Sequence, residues 1–394
     1  MALREDETIS PAPPKPEDVP LSELQTGWLS PLNQRRLRNF RANKRAYWSL
    51  IIFSVLFGLS LLAPILANDK PIMVRYQGAI YTPVFNFYPE TEFGGDFRTE
   101  AVYRDVEIQC LIISGGLDEC WDDPEGVIDD ASDGQVNGEA ISRGWLLWPP
   151  VPYSFDTIND LGGPAPSAPD ENHWLGTDDT SRDVLARVIY AFQLSVLFAL
   201  IVTTLSSIIG IFAGAVQGFF GGWTDLVMQR IIEIWGSTPS LFVIIIVAAI
   251  FQMNFWLLVG LMVLFGWIGL VGVVRAEFLR ARNFEYIRAA QALGVSSWTI
   301  MFRHVLPNAM VATLTMLPFI VTGTIGGLAS LDFLGFGLPS SMPSLGELTL
   351  QAKNNLQAPW LAFSAFFSFA IMLSLLVFIF EGVRDAFDPR KTFE

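Results

Sequence analysis

Charge is scarce in this sequence, and histidine and cysteine are scarcer still. Only 16% of the 394 residues are charged, against about 25% in soluble domains, so much of the chain faces something other than water. The formal net charge of −14 argues against nucleic acid as a partner, because an acidic surface is repelled by a phosphate backbone. The five lysines follow Pro14, Asn43, Asp69, Ala352 and Arg390. None follows glycine, so the Gly-Lys-Ser/Thr phosphate loop is missing, and with it a nucleotide site of that type. The two histidines, His173 and His304, fall in segments that the topology derived below puts on opposite sides of a membrane. That excludes a two-histidine zinc site and a membrane-embedded metalloprotease, and no metal site is expected. The stretch Asp129–Gly134 imitates the start of a calcium loop but has Ala131 at the third position and Ala140 at the twelfth, where a bidentate glutamate is needed. A solvated acidic surface is the better reading. The two cysteines, Cys110 and Cys120, can close a short disulfide loop in an oxidising compartment, or stay as two reduced, partly buried thiols elsewhere.

What the chain has in abundance is apolar length. Residues 1–27 are polar and proline-rich and cannot bury enough apolar surface to fold, so a disordered tail is expected. Six cations follow without an acid, Arg35, Arg36, Arg38, Arg41, Lys44 and Arg45. The charge-free run Trp48–Ala67 comes next, long enough for one bilayer crossing. It lacks the shorter core and small-residue cleavage site of a removed signal peptide. The cations belong on the cytoplasmic side, so this first span runs outward. Between Ala67 and Arg187 there are 23 Asp/Glu against 7 Lys/Arg. This acidic stretch therefore reads as a separate, water-exposed unit outside, loop-rich and with some β structure around Tyr76–Phe87.

Five more spans are expected. One runs over about 190–216. The next begins with Asp225, Arg230 and Glu233, is interrupted at Gly236 and Pro239, and resumes as the apolar run 240–251. The others cover about 255–275, 308–330 and 360–381. The stretch 275–306 has five arginines against two glutamates, and alternation places it inside, as its charge requires. The tail with Arg384, Arg390 and Lys391 also falls inside. Trp48, Trp256 and Trp360 open three spans, where interfacial aromatics belong. The apolar centres of the spans hold no ionisable residue. A proton-coupled carrier needs a titratable relay there, so a stand-alone or proton-coupled permease is the weaker alternative, as is a scaffold or sensor protein.

One inner segment is more informative. Residues 283–293 suit a helix with Phe284, Ile287, Ala290 and Leu293 near one face. Gly294 stands where a left-handed residue ends a helix, Ser296 can cap a second short helix, and Pro307 starts the next span. This stretch resembles the cytoplasmic coupling loop of ABC-importer permeases, with the pattern Glu-Ala-Ala, three residues, Gly, nine residues, Ile-x-Leu-Pro. Ala289, Ala290, Gly294, Leu306 and Pro307 match it, while Arg288 stands for the Glu and His304 for the Ile. His173–Asp178, Arg182–Arg187, Gly221–Asp225, Leu331–Gly337, Pro343–Gly346, Ala358–Trp360 and Arg384–Pro389 are similar to the C-type permeases of dipeptide and oligopeptide importers, with Ser181 where that family has Gly. Ala67–Pro71 and the long acidic insertion resemble the Yej-type subfamily, associated with oligopeptide and microcin C uptake.

The resemblance implies an all-α polytopic membrane protein with six transmembrane helices, the type I ABC-importer permease fold, carrying a loop-rich periplasmic insertion of possible α+β character. Expected divisions are a cytoplasmic tail and basic segment at 1–46, a first span at 47–67, the acidic periplasmic insertion at 68–187, a five-helix permease unit at 188–385 with its coupling loop at 276–307, and a cytoplasmic tail at 386–394. The implied partners are a second permease, two ATP-binding subunits or one fused ATPase, a periplasmic peptide-binding protein and membrane lipid. No cofactor is expected on this chain, since ATP and Mg sit on the ATPases, and no enzymatic activity. The inner membrane is the implied location, with both termini cytoplasmic. The ATPase-coupling residues are Phe284, Ile287, Arg288, Ala289, Ala290, Gly294, Leu306 and Pro307. His173 and Trp174 are expected to fix the segment entering the second span.

Overall fold

The computed structural model describes residues 31–387 apart from 132–134, 137–138 and 161. The expected disordered tail, most of the 386–394 tail and the end of the Asp129–Gly134 stretch lie outside the described residues. Among the described residues, five helices are long and apolar enough to cross a membrane, six when one bent pair counts as a single span. A small mixed lobe is inserted between the first span and the second, and short helices stand before the first span and between later ones.

The basic segment is helical rather than part of a loose tail. Helix α1, Pro31–Ala42, buries Phe40 with Ala46 and Ala386. The chain turns at Asn43, whose side chain accepts the Ala46 N–H and caps helix α2, Lys44–Leu61. The first span therefore starts one turn earlier than its apolar run. It breaks at Leu62, ahead of the four-residue α3, Ala63–Leu66, which carries Pro64 in its first turn. Proline lacks the amide that would continue the ladder.

In the lobe, β1 (Met73–Tyr76) and β2 (Ala79–Tyr81) form a hairpin. Its turn is Gln77–Gly78, both at positive φ, which matches the twist of the two strands. The β structure expected around Tyr76–Phe87 is this hairpin, which starts earlier, at Met73, and ends at Tyr81. Helices α4 (Val106–Ser114) and α5 (Pro124–Asp130) follow, then the short pair β3 (Gln135–Val136) and β4 (Glu139–Ala140). Strand β5 (Trp145–Leu147) returns to pair with β1, giving the antiparallel order β2-β1-β5. The lobe core is aromatic, with the Phe93 ring edge-on to Tyr76, Tyr81 and Tyr103. Cys110 and Cys120 are joined as a disulfide between buried residues, Cα atoms 5.6 Å apart. Two backbone bonds tie the lobe to the end of the first span, Asn68 N–H to the Val151 carbonyl and Val151 N–H to that of Leu66. The Tyr190 hydroxyl donates to the Ala67 carbonyl.

Helix α6, Val184–Phe220, has 37 residues and extends beyond the expected 190–216 at both ends. Asp183 caps it through the Ala186 N–H. Helices α7 (Gly222–Gly236) and α8 (Ser240–Ile250) are the bent pair, meeting at 61° across the break that Gly236 and Pro239 foretold. Helices α9 (Phe255–Gly266) and α10 (Ile268–Ala281) make one span through Trp267. Helix α11, Glu285–Ala292, precedes α12, Ser297–Thr299, a π turn at Ile300–Val305 and α13, Leu306–Phe333. Helix α14, Leu345–Asn354, precedes α15, Pro359–Phe387.

Two features hold this bundle. Gly210, Gly214 and Gly218 recur every four residues on α6 and face α10. A Cβ on Gly214 would stand 2.8 Å from the Val271 carbonyl oxygen, and one on Gly218 would stand 2.5 Å from that of Arg275. Lipid supplies no hydrophobic drive between helices, so close backbone approach through small residues is what packs them. The second feature is a correction. The fifth span does not start at Pro307 but runs unbroken from Ser297 to Phe333. Proline has no amide to donate, and the wide π turn before it, where Leu306 N–H reaches back to the Met301 carbonyl, lets the helix pass through.

Gly214→Ala is expected to destabilise the chain by about 1–3 kcal/mol through overpacking. Gly272→Ala, where an added Cβ meets nothing within 4 Å, should be neutral or slightly stabilising. Thermal unfolding of both variants in detergent compares them directly.

Candidate functional site

Helix α11 is short, and its C-terminal end is closed by its own sequence. Its C-terminus forms a full 6→1 and 5→2 pair. Val295 N–H donates to the Ala290 carbonyl and Gly294 N–H to that of Gln291, with Gly294 at φ +79°. Only glycine takes that conformation without a Cβ clash. The Ser296 hydroxyl accepts the Thr299 N–H and so caps the next helix, as its position suggested. A rigid elbow results.

One residue seats the elbow. Ile287 is fully buried, in a cluster with Phe278 of α10, Ile300, Met301 and Val305 of the π turn, and Ala215 and Phe219 of α6. The Tyr286 hydroxyl accepts from Asn308 Nδ2 at 3.4 Å. Trp298 stacks between Phe212 of α6 and Phe302, with ring centroids 6.4 and 5.9 Å away and planes 11° apart in each pair. Arg275 of α10 holds Asp225 of α7 through two bonds, 2.5 and 2.7 Å. The elbow thus touches two long helices and continues without a break into a third.

The eight predicted coupling residues divide between two roles. Ile287 is buried, and Ala290 and Leu306 are half-buried against the same cluster; Phe284, Arg288, Ala289, Gly294 and Pro307 are exposed. The expected apolar face of Phe284, Ile287, Ala290 and Leu293 is not one face. Phe284 and Leu293 are the N-cap and C-cap, off the ends of an eight-residue helix, where the 3.6-residue period no longer applies. Leu293 is 82% exposed. The exposed surface is therefore apolar and cationic at once, with Phe284, Tyr286, Leu293 and Arg288 around the two-alanine step. Trp298 carried no signal in the sequence beyond its type.

At the other end of the bundle lies a buried ionic cluster that sequence reasoning missed. Arg187, in the first turn of α6, has no exposed surface. Its guanidinium contacts Glu347 of α14, donates to the Phe155 and Met342 carbonyls, and lies 3.5 Å from Asp178. Arg182 bonds Asp178 at 2.8 Å and the Ser340 carbonyl at 2.9 Å. Burial pushes the Glu347 carboxyl up, while Arg187 and Arg182 pull it down. Ser344 Oγ accepts from the Gly346 and Glu347 amides, capping α14, and its hydroxyl donates a hydrogen bond to Asp332 Oδ2. The Ser344-x-x-Glu347 spacing was a legible helix-start signal, but it did not reveal that Glu347 turns inward to the arginines. Beside the cluster, a cavity of about 880 Å³ is lined by Asp332, Glu347, residues 335–341 and the α8–α9 turn. His173 and Asp183 bond at 3.0 Å, both buried, and His173 lies against Tyr153. His173 thus fixes the segment entering α6, whereas Trp174 is 60% exposed.

Comparison with known proteins adds relatives to this geometry. A family profile described as the inner membrane component of binding-protein-dependent transport systems matches residues 206–393. A second, described as the N-terminal transmembrane domain of oligopeptide transport permease C, matches residues 30–84. The chain is 52% identical over 391 residues to the peptidoglycan transport system permease protein YejE of Agrobacterium fabrum, covering 93% of this chain and 95% of that protein. It is 53% identical over 364 residues to the inner membrane ABC transporter permease protein YejE of Escherichia coli, covering 92% and 98%. It is 34% identical over 243 residues to the oligopeptide transport system permease protein OppC of Bacillus subtilis, covering 60% and 78%.

Two outcomes are expected at this site. Arg187→Met leaves Glu347 with one arginine fewer in a dry place and should lower stability by about 3–5 kcal/mol; pairing it with Glu347→Leu should restore most of the loss in the same unfolding assay. Gly294→Val forces a β-branched residue into the left-handed region at roughly 1–2 kcal/mol, so hydrogen exchange at the Val295 amide should quicken about tenfold.

Proposed function

The chain belongs to the family of ABC-importer permeases that includes the Yej-type and oligopeptide C-type proteins, and from that premise we propose that α11 is the surface through which separate ATPase subunits drive it. As a permease subunit of an ABC peptide importer it is a transport component rather than an enzyme. In the proposed assembly it forms half of a pathway with a second permease, with two ATP-binding subunits or one fused ATPase below and a peptide-binding protein outside. ATP and Mg would be held by the ATPases. Both termini would be cytoplasmic, with 68–187 a periplasmic unit, 188–385 the permease unit and 276–307 its coupling loop.

The observation that carries this reading is the seating of Ile287. A force on the exposed face of α11 meets a helix closed at its C-terminal end and seated in a dry cluster, so the elbow moves as a body. Displacement passes to α10 and α6 through that cluster, and to α13 along one unbroken helix. Phe284, Arg288, Ala289, Gly294 and Pro307 are proposed to face the ATPase, and Ile287, Ala290 and Leu306 to anchor the loop. None of α7 is buried against the described chain, and large apolar residues such as Trp223, Ile234 and Phe242 are exposed on α7 and α8. This pair is the face offered to a second permease.

For substrate we propose oligopeptides, including microcin C-like peptides. The name of the Agrobacterium relative favours a second reading, peptides derived from peptidoglycan. The lobe is proposed as a landing platform for the binding protein, since it is strongly acidic and exposes Phe85, Phe87 and Phe97.

The test is reconstitution with the partner permease, the ATPases and the binding protein in liposomes. Uptake of labelled oligopeptide should need ATP, and Arg288→Glu should change the salt dependence of ATPase association. Competition by a microcin C-like peptide against a peptidoglycan-derived one separates the two substrate readings. ATP-independent uptake by this chain alone would restore the stand-alone permease.

A further inference from the structure

Helix α1 has two sides with different partners. On one, Phe40 packs on Ala46 and Ala386 and reaches the surface of Gly382, and the Arg36 guanidinium lies 4.2 Å over the Phe387 ring. These two residues, four apart, share one helix face and hold α1 to the end of α15. Arg38 and Arg41 lie on the opposite face and are exposed, as are Lys44 and Arg45 in the first turn of α2. No acid occurs between Pro31 and Asn68. The nearby carboxylates on α15, Glu381 and Asp385, have Arg384 beside them at 3.9 and 3.8 Å.

The position of this charge is fixed by the span it precedes. Asn43 breaks the helix with an extended backbone, φ −78° and ψ 90°, so α1 turns away from α2 rather than prolonging it. Because α2 is a membrane span, the break puts α1 at the level where the span leaves the hydrocarbon. Leu37 and Trp48 are exposed there, Trp48 by 60%. A cationic face beside an apolar fringe at that depth is the arrangement that binds headgroups while its stems lie along acyl chains.

We propose that Arg38, Arg41, Lys44 and Arg45 form a binding surface for anionic phospholipid headgroups, with α1 as a strap that the lipid holds against α15. The occupant is a phosphate-bearing lipid because the surface carries only positive charge and sits at headgroup depth next to a span. Guanidinium groups pair with phosphate through two parallel bonds. Each cation near such a surface contributes about fivefold in binding. This inference uses only the place of α1 at a membrane surface, so it holds whichever side that surface faces and does not depend on the ATPase role of α11.

Purified full-length chain in neutral detergent is titrated with phosphatidylglycerol and with phosphatidylcholine, and bound lipid is counted by native mass spectrometry. The wild type should retain phosphatidylglycerol at least tenfold better, and the preference should fall as salt is raised. Arg38→Gln, Arg41→Gln, Lys44→Gln and Arg45→Gln combined should abolish it with unchanged thermal unfolding. A charge-keeping variant, Arg38→Lys with Arg41→Lys and Arg45→Lys, should retain it. A preference that ignores salt, or that survives in the folded glutamine variant, would overturn the assignment; the salt arm decides even where that variant fails to fold. Lipid retention unchanged but ATPase association lost in the glutamine variant would make the surface a protein contact and equally overturn it.

Discussion

A guanidinium with no exposed surface organises the lobe-bearing half of this protein. Arg187 has no water to solvate it, so its partners must be held in place, and they come from every neighbouring part of the chain. Asp178 belongs to the segment that leads out of the lobe, Phe155 to the lobe's last loop, Glu347 to α14 and Met342 to the loop before it. Burying a charge without such partners is costly, and the cluster is balanced, with two arginines against Asp178 and Glu347. The lobe, the start of α6 and the segment lining the cavity beside Glu347 are thereby joined into one body.

At the opposite end, where α11 sits, charge enters through the Arg275–Asp225 pair between α10 and α7, but the elbow itself is seated without it. Ile287 is seated by aliphatic and aromatic contacts, and the elbow around it is set by caps rather than by ion pairs. The two halves are connected by helices of unusual length, α6 of 37 residues and the unbroken Ser297–Phe333 rod. The glycines of α6 bring α10 against it closely enough that neither can shift alone. A displacement at α11 therefore has a rigid path to the cavity beside Glu347, whereas α7 of the bent pair has no residue buried against the described chain.

Much of this was legible in the residues. Apolar runs and the asymmetry of charge placed the spans and the lobe, because hydrophobic length and scarcity of charge are direct consequences of a bilayer. Gly294 and Ser296 announced their capping roles, since each acts on its own local backbone. Gly236 and Pro239 announced the bend between α7 and α8. What misled were patterns carried past the end of an element. Phe284 and Leu293 fit a helical period but stand off the ends of α11, and Pro307 reads as a helix start although a π turn carries the helix through it. The β structure expected around Tyr76–Phe87 is there as the β1–β2 hairpin, but its bounds, Met73 to Tyr81, were set by the reversal at Gly78.

By itself, then, the sequence determined the membrane class, the span count within the ambiguity of one bent pair, the acidic insertion and the location of the elbow at α11. These depend on composition and on neighbours a few residues apart. The tertiary structure alone decided that Glu347 meets Arg187 across 160 positions, that the α6 glycines face α10, and that α1 folds back onto α15. Each of those is a contact between distant segments. Its energy comes from excluding water or lipid between surfaces that only the folded chain brings together.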